Sequence, residues 1–168
     1  MRTVVCDAGP VIHLHEAGLL HLLNFCGSIH IPALVHEEIC ANTNLESIWP
    51  GWIEVVTLNY DAIKHAAFLS RLGDLHGGES EAFVLCADIK ANWLLTDDAA
   101  ARLFAATLGM EVHGSLGVVL WNVAHRHLDR EQGLASLTAL SQTSLWLSTR
   151  TLQEARTAIT EIGGALNA

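Results

Sequence analysis

The chain has 168 residues, of which 51% are hydrophobic and 16% charged, and this length and composition predict one compact domain. Eighteen Asp and Glu against nine Lys and Arg give a formal net charge of -9, which excludes histone-like or basic-arm binding of nucleic acid. The apolar runs are too short to cross a bilayer, and Asp7 comes too early for a signal peptide. We therefore expect a cytoplasmic protein that does not engage a membrane.

Short β-like runs alternate with longer helical runs along residues 1–114, which predicts an α/β fold with a central parallel sheet. The predicted strands are residues 3–6, 28–31, 52–58, 93–96 and 111–113. The predicted helices run from Pro10 towards Glu16, through residues 34–41, from a cap at Asp61, from Gly77-Gly78 and over residues 99–108. Residues 42–50 are polar and predict a surface loop.

The remainder, residues 116–162, predicts three helices that are broken near Asp129 and Ser144. We expect a single domain over residues 1–162, with an α/β part over about 1–114 and a C-terminal helical cover over about 115–162. Residues 163–168 are predicted to form a C-terminal tail.

The cysteines, histidines and tryptophans do not indicate a metal, disulfide or base-binding site. The four cysteines are widely spaced with no Cys-x-x-Cys pair, which favours reduced buried thiols over disulfides or a zinc site. The pairs His13-x-His15 and His125-x-His127 are poor chelators, because residues i and i+2 point apart on a helix. The tryptophans occupy apolar positions, which favours core packing or a dimer interface over base stacking. They are Trp49, Trp52, Trp93, Trp121 and Trp146.

Four carboxylates flank the predicted strand ends. Asp7 follows the first strand and Asp97 the fourth, while Glu38 and Glu79 lie on the helices after Pro32 and at Gly77-Gly78. Because the functional crevice of an open parallel sheet lies outside the carboxyl ends of its strands, Asp7 and Asp97 are expected to face the same side. Carboxylates gathered there require a counter-charge, and all-oxygen ligands select Mg²⁺ or Mn²⁺. The cluster indicates phosphate chemistry.

Each acid also has a simpler interpretation. Asp7, Asp97 or Asp98 would serve as a helix N-cap. Glu79 would interact favourably with a helix macrodipole, and Glu38 would be an ordinary solvated residue. The order, spacing and strand-end position of the four acids together favour a shared site.

Several segments carry a resemblance to a known family: residues 4–12 (VVCDAGPVI), 31–39 (IPALVHEEI), 77–82 (GGESEA) and 94–102 (LLTDDAAAR). In this order they resemble the PIN-domain nucleases, a family that includes the VapC-type toxins of prokaryotic toxin–antitoxin pairs. Residues 113–120 also resemble a segment of one PIN-like subgroup. The resemblance spans residues 3 to about 125, and more loosely the helices to about 160.

The resemblance implies a three-layer α/β/α fold, RNA cleavage that depends on Mg²⁺ or Mn²⁺, and frequent dimerisation. It places the family's four acids on Asp7, Glu38 rather than Glu37, Glu79 and Asp97. The implied metal ligands are Asp7, Glu79 and Asp97, with Asp98 either assisting or capping. Glu38 completes the acidic ring, and Thr96 is a candidate to orient Asp97 or the attacking water.

The basic residues are scattered, so the expected RNA contacts are few: Lys64, Arg71, Lys90 and Arg102. The expected partners are RNA, an antitoxin protein and a second copy of the chain. Two alternatives stay open. One is a non-catalytic PIN-like module that binds a protein. The weaker one is a phosphohydrolase with Asp7 as covalent nucleophile, for which Gly9 stands where a second Asp is expected.

Overall fold

A computed structural model describes residues 1–73 and 75–165. Five parallel strands form one sheet in the order β3-β2-β1-β4-β5. The strands are β1 (Thr3–Cys6), β2 (Ser28–Pro32), β3 (Ile53–Val56), β4 (Trp93–Leu95) and β5 (Val112–His113). The predicted α/β class with a central parallel sheet is therefore confirmed.

The described residues also form nine α-helices. These are α1 (Ala8–Glu16), α2 (Leu23–Cys26), α3 (Ala33–Asn42), α4 (Tyr60–Gly73), α5 (Gly77–Asp88), α6 (Ala99–Thr107), α7 (Ser115–Ala124), α8 (Arg130–Leu140) and α9 (Thr149–Ala165). Two 3₁₀ segments, Leu20–Leu22 and Leu45–Ile48, lie in the connections.

Helices cover both faces of the sheet, which confirms the three-layer architecture. Val4 and Cys6 of β1 pack into a core with α1, α2, α3 and α7, whereas Val5 packs into a second core with α4, α5 and α6. Successive residues of a strand point to opposite faces, so a strand covered on both sides is apolar throughout. This explains the uninterrupted apolar run of residues 4–6.

The C-terminal helices α7, α8 and α9 enclose a small third core that includes Val123, Leu137, Ala155 and Ile159. Helix α9 continues to Ala165, three residues into the predicted tail at 163–168, and residues 166–168 lie outside the described residues. The assignment of residues 1–162 to one domain stays a prediction. Among the described residues, no helix is both long and apolar enough to span a membrane.

Local details differ from the sequence expectations at helix starts. Helix α1 begins at Ala8, two residues before Pro10. Helix α4 is capped by Asn59, whose side-chain oxygen accepts the Ala62 N–H at 3.0 Å, while Asp61 lies in the first turn. Asn and Asp cap helices equally well, so the sequence offers two candidates two residues apart. The predicted loop 42–50 contains the 3₁₀ segment Leu45–Ile48.

The order of the strands creates a crevice beside β1. From β1 the chain adds β2 and β3 on one side, then crosses to add β4 and β5 on the other. The connections leaving β1 and β4 therefore diverge, and ligands of open α/β sheets bind at such a switch point. The Asp7 N–H donates to the Leu95 carbonyl at 2.9 Å, which sets the ends of the two strands side by side.

Candidate functional site

An open cavity of about 400 Å³ lies at the carboxyl ends of β1 and β4. All four acids that the sequence singled out line this cavity, and so does the neighbouring Asp98: Asp7, Glu38, Glu79, Asp97 and Asp98. Its other polar walls are His13 and Ser144, and Trp146 stands at its edge. The fold thus gathers side chains from five separate parts of the chain.

Asp7 occupies the N-cap position of α1, but its side chain makes no capping hydrogen bond. The carboxylate is buried, and its Oδ2 accepts a hydrogen bond from the Thr96 hydroxyl at 3.2 Å. The pKa of Asp7 is raised to about 7, mainly by burial and in part by the negative charges of Glu79 and Glu38, whereas the Ala8 backbone N–H and the Thr96 hydroxyl oppose the shift. The Asp7 side chain therefore does not act as the helix cap that its simpler interpretation proposed.

We expect the Asp7→Asn variant to be more stable than the native protein in the absence of metal, by at most about 4 kcal/mol. A folded-state pKa raised from 3.8 to about 7 means that the buried carboxylate binds a proton that the unfolded chain has released. The native protein therefore loses stability as pH rises from about 4 to 7, and the loss levels off above pH 7. Urea unfolding in chelator across pH 5 to 8 measures the difference in the free energy of unfolding between the two proteins.

The exposed Asp88 at the far end of α5 gives the control, because Asp88→Asn leaves the buried carboxylate in place. That variant should follow the native pH dependence. A constant stability difference between Asp7→Asn and the native protein across this pH range would contradict the assigned burial effect.

Asp97 is held on both carboxylate oxygens. Its Oδ1 accepts the Ser115 backbone N–H at 2.7 Å, and its Oδ2 accepts the Ser115 hydroxyl at 2.5 Å. The Nδ1 of His13 lies 2.7 Å from the same Oδ2. Ser115 is the first residue of α7, so the positive end of that helix faces the carboxylate.

Gly114 allows this approach. A Cβ at Gly114 would lie 2.5 Å from the Asp97 Oδ1 and 3.2 Å from the Thr96 carbonyl oxygen. A real Cβ does not tolerate the first distance, so any other residue at this position displaces the carboxylate or the start of α7.

Glu79 and Glu38 meet near the start of α5. The Oε2 of Glu79 accepts the His76 backbone N–H at 2.8 Å, so part of this carboxylate serves the helix end, as its simpler interpretation allowed. Glu38 is exposed on α3, and its Oε2 lies 3.1 Å from the position a Cβ would take at Gly78. Both acids line the cavity, and the helices that carry them, α3 and α5, pack together.

Asp98 and Thr96 both have structural roles. The sequence left a capping role open for Asp98 and missed the contact that Thr96 makes with Asp7. The Oδ1 of Asp98 accepts the Ala101 N–H at 2.7 Å and so caps α6. Thr96 was a candidate to orient Asp97 or water, but its hydroxyl donates to Asp7 instead and accepts the Asp98 N–H at 3.3 Å. Thr96 therefore ties the end of β4 to the carboxylate that follows β1.

The four basic residues proposed for RNA contact are not gathered at the cavity. Lys64 and Arg71 lie on α4, and Lys90 follows the end of α5 that is farthest from Glu79, about 14 Å along the helix. None of these three lines the cavity. Arg102 is not among the lining residues either, but a guanidinium nitrogen of this side chain lies 3.5 Å from the Cβ position at Gly114. Among the described residues that line the cavity, His13 is the single basic side chain.

Sequence reasoning missed two contacts of Asp97, those with His13 and Ser115. His13 was considered only as a partner of His15, whereas its actual partner lies 84 residues away in sequence. Ser115 could have been predicted at the site. It begins the helix that follows β5, so it lies near the carboxyl end of a strand, where the crevice of a parallel sheet is expected.

The donors at this cavity suit a hard divalent cation. They are carboxylate oxygens, and the mutual repulsion of Asp7, Glu79 and Glu38 contributes to the raised pKa of Asp7. Within residues 1–73 and 75–165, no three His, Cys, Asp or Glu side chains are close enough as they stand to hold a metal ion. Mg²⁺ usually keeps several waters when it binds protein carboxylates, so some of these acids would reach a bound ion through water.

Comparison with known proteins gives one finding. The family model that matches this chain is described as DUF3368, a PIN domain, and it matches residues 3–161. No curated protein matches the chain.

Proposed function

Since this chain belongs to the PIN-domain family, whose members are generally nucleases, we propose that it is a divalent-metal-dependent endoribonuclease. The observation that carries the proposal is the cavity at the β1–β4 switch point, which Asp7, Glu38, Glu79 and Asp97 line together. PIN domains generally use divalent metals, and the carboxylate donors present here fit Mg²⁺ or Mn²⁺.

Asp7 and Asp97 are the residues that would hold the ion, with Glu79 and Glu38 acting directly or through water. When bound, a divalent ion lowers the pKa of the attacking water and stabilises charge on the phosphate and the leaving oxygen. The chain's own contribution is to fix the two aspartates. Thr96 orients Asp7, while Ser115 and His13 orient Asp97.

The charge of the cavity makes substrate binding depend on the metal. Five carboxylates and one histidine line it, so an RNA phosphate meets net repulsion until a cation is present. This explains how a chain with a net charge of -9 would act on a polyanion without a basic face.

Incubation of the purified protein with total cellular RNA tests the proposal. We expect cleavage in Mg²⁺ or Mn²⁺ and none in chelator. Cleavage that persists in chelator would contradict a metal-dependent mechanism, and intact RNA under every metal condition would contradict nuclease activity.

We propose more specifically a VapC-type toxin that works in the cytoplasm as a homodimer and is neutralised by an antitoxin protein. The support is the resemblance of residues 4–12, 31–39, 77–82 and 94–102 to that family's motifs. Induced expression should arrest growth with the native protein but not with an Asp97→Asn variant. Equal growth of the two strains would oppose the toxin role.

A non-catalytic PIN-like binding module is the second candidate. It is favoured by the net charge of -9 and by the acidic lining of the cavity, in which His13 is the single basic side chain among the described residues. The phosphohydrolase alternative has less support, because Gly9 stands where such enzymes are expected to carry a second Asp. Metal-independent binding of a protein partner, without RNA cleavage, would favour the module.

A further inference from the structure

Trp146 stands exposed beside the acidic cavity. It lines the same cavity as the carboxylates, yet 83% of its surface is accessible to solvent. The sequence favoured core packing or a dimer interface for this residue. Large aromatic side chains are buried on average, so an indole held in solvent next to a polar site is available for a ligand.

The segment that carries Trp146 is firmly anchored. The neighbouring Leu145 and Leu147 pack against the core that contains Val4 and Cys6, which turns the intervening Trp146 side chain outward. Ser144 donates its backbone N–H to the Glu16 Oε2 at 2.8 Å and its hydroxyl to both Glu16 oxygens. The Ser144 backbone N–H is also the main cause of the lowered pKa of Glu16. The indole therefore projects from a fixed backbone.

One helix sets the distance between Trp146 and the acids. Helix α1 begins directly after Asp7, contacts Asp97 through His13 and holds Ser144 through Glu16. Positions 13 and 16 are three residues apart and so lie on neighbouring parts of one helix surface. The Trp146 segment is thus positioned by the same helix that positions the carboxylates.

We propose that Trp146 stacks on an unpaired base of the RNA beside the phosphate that is cleaved. This inference rests on the proposed nuclease function and adds a base-binding residue beside the acidic cavity. Stacking does not depend on charge, so it supplies affinity that an acidic cavity lacks, and it needs a base whose faces are free. A base in a duplex is covered by its neighbours and does not offer a face to the indole.

Binding of a fluorescent single-stranded oligoribonucleotide, followed by anisotropy in Mn²⁺, tests the inference. An Asp7→Asn background keeps the RNA intact during the measurement, and Mn²⁺ is added at concentrations that saturate this variant. We expect Trp146→Ala in this background to bind about 10-fold more weakly, because the affinity contributed by stacking one base on an aromatic side chain is lost. Trp146→Phe should restore binding to within about 3-fold, since it retains a ring.

Tyr60→Ala is the matched control, because Tyr60 is an aromatic residue with 70% exposure that does not line the cavity. It should bind as the Asp7→Asn parent does. Equal affinity of the Trp146→Ala and parent proteins, or no measurable binding by the parent, would overturn the inference. Cleavage of RNA by the native protein is scored separately, so a failure of nuclease activity is distinguished from a failure of base stacking.

Discussion

Replacing Asp97 by Asn is expected to lower metal-dependent RNA cleavage by at least about 100-fold. The substitution removes a negative charge at the end of β4 but keeps an oxygen that accepts the Ser115 N–H. The fold should therefore persist while the affinity for the cation falls. Initial cleavage rates on an RNA substrate in Mn²⁺, with circular dichroism on the same samples, give the measurement.

Asp61→Asn is the control for this change, because Asp61 is exposed on α4 and does not line the cavity. It should cleave at the native rate. Cleavage by a folded Asp97→Asn protein within about 3-fold of the native rate would remove Asp97 from the catalytic set.

Gly114→Ala is expected to reduce cleavage by about 10- to 100-fold, since a misplacement of about 1 Å at a reacting centre costs up to about 100-fold. The added Cβ would lie 2.5 Å from the Asp97 Oδ1, so the carboxylate must move away from its position between Ser115 and His13. The rate constant kcat for RNA cleavage and the thermal midpoint measure the effect on activity and on folding.

Gly51→Ala provides the control, because a Cβ at Gly51 has no heavy atom within 4 Å. Both glycine variants are expected to fold, and only Gly114→Ala should lose activity. A fully active Gly114→Ala protein would show that the observed placement of Asp97 is not required for cleavage.

The sequence predicted the arrangement of the main acids because two simple regularities apply to them. Apolar runs of strand length mark β1 and β4, and parallel strands end on one edge of a sheet, so Asp7 and Asp97 were expected on the same side of it. Their closeness depends on the order of the strands, which the sequence did not predict. That order makes β1 and β4 neighbours, which places Thr96 within reach of Asp7.

The remaining parts of the site depend on tertiary contacts that no local pattern contains. His13 meets Asp97 across 84 residues of sequence, and Ser144 meets Glu16 across 128. Trp146 is flanked by Leu145 and Leu147, a pattern that indicates a buried strand or core position. Its exposure follows from the turn between α8 and α9, where the two leucines face the core and the indole does not.

Titration of Mn²⁺ into the metal-free protein, followed by the electron paramagnetic resonance signal of free Mn²⁺, tests the central claim most directly. The claim is that the carboxylates of Asp7, Glu38, Glu79 and Asp97 form one divalent-ion site. We expect saturable binding that Mg²⁺ competes away, at least about 10-fold weaker in Asp7→Asn and Asp97→Asn and unchanged in Asp88→Asn. Equal binding by all four proteins, or no saturable binding by the native protein at millimolar Mn²⁺, would contradict it.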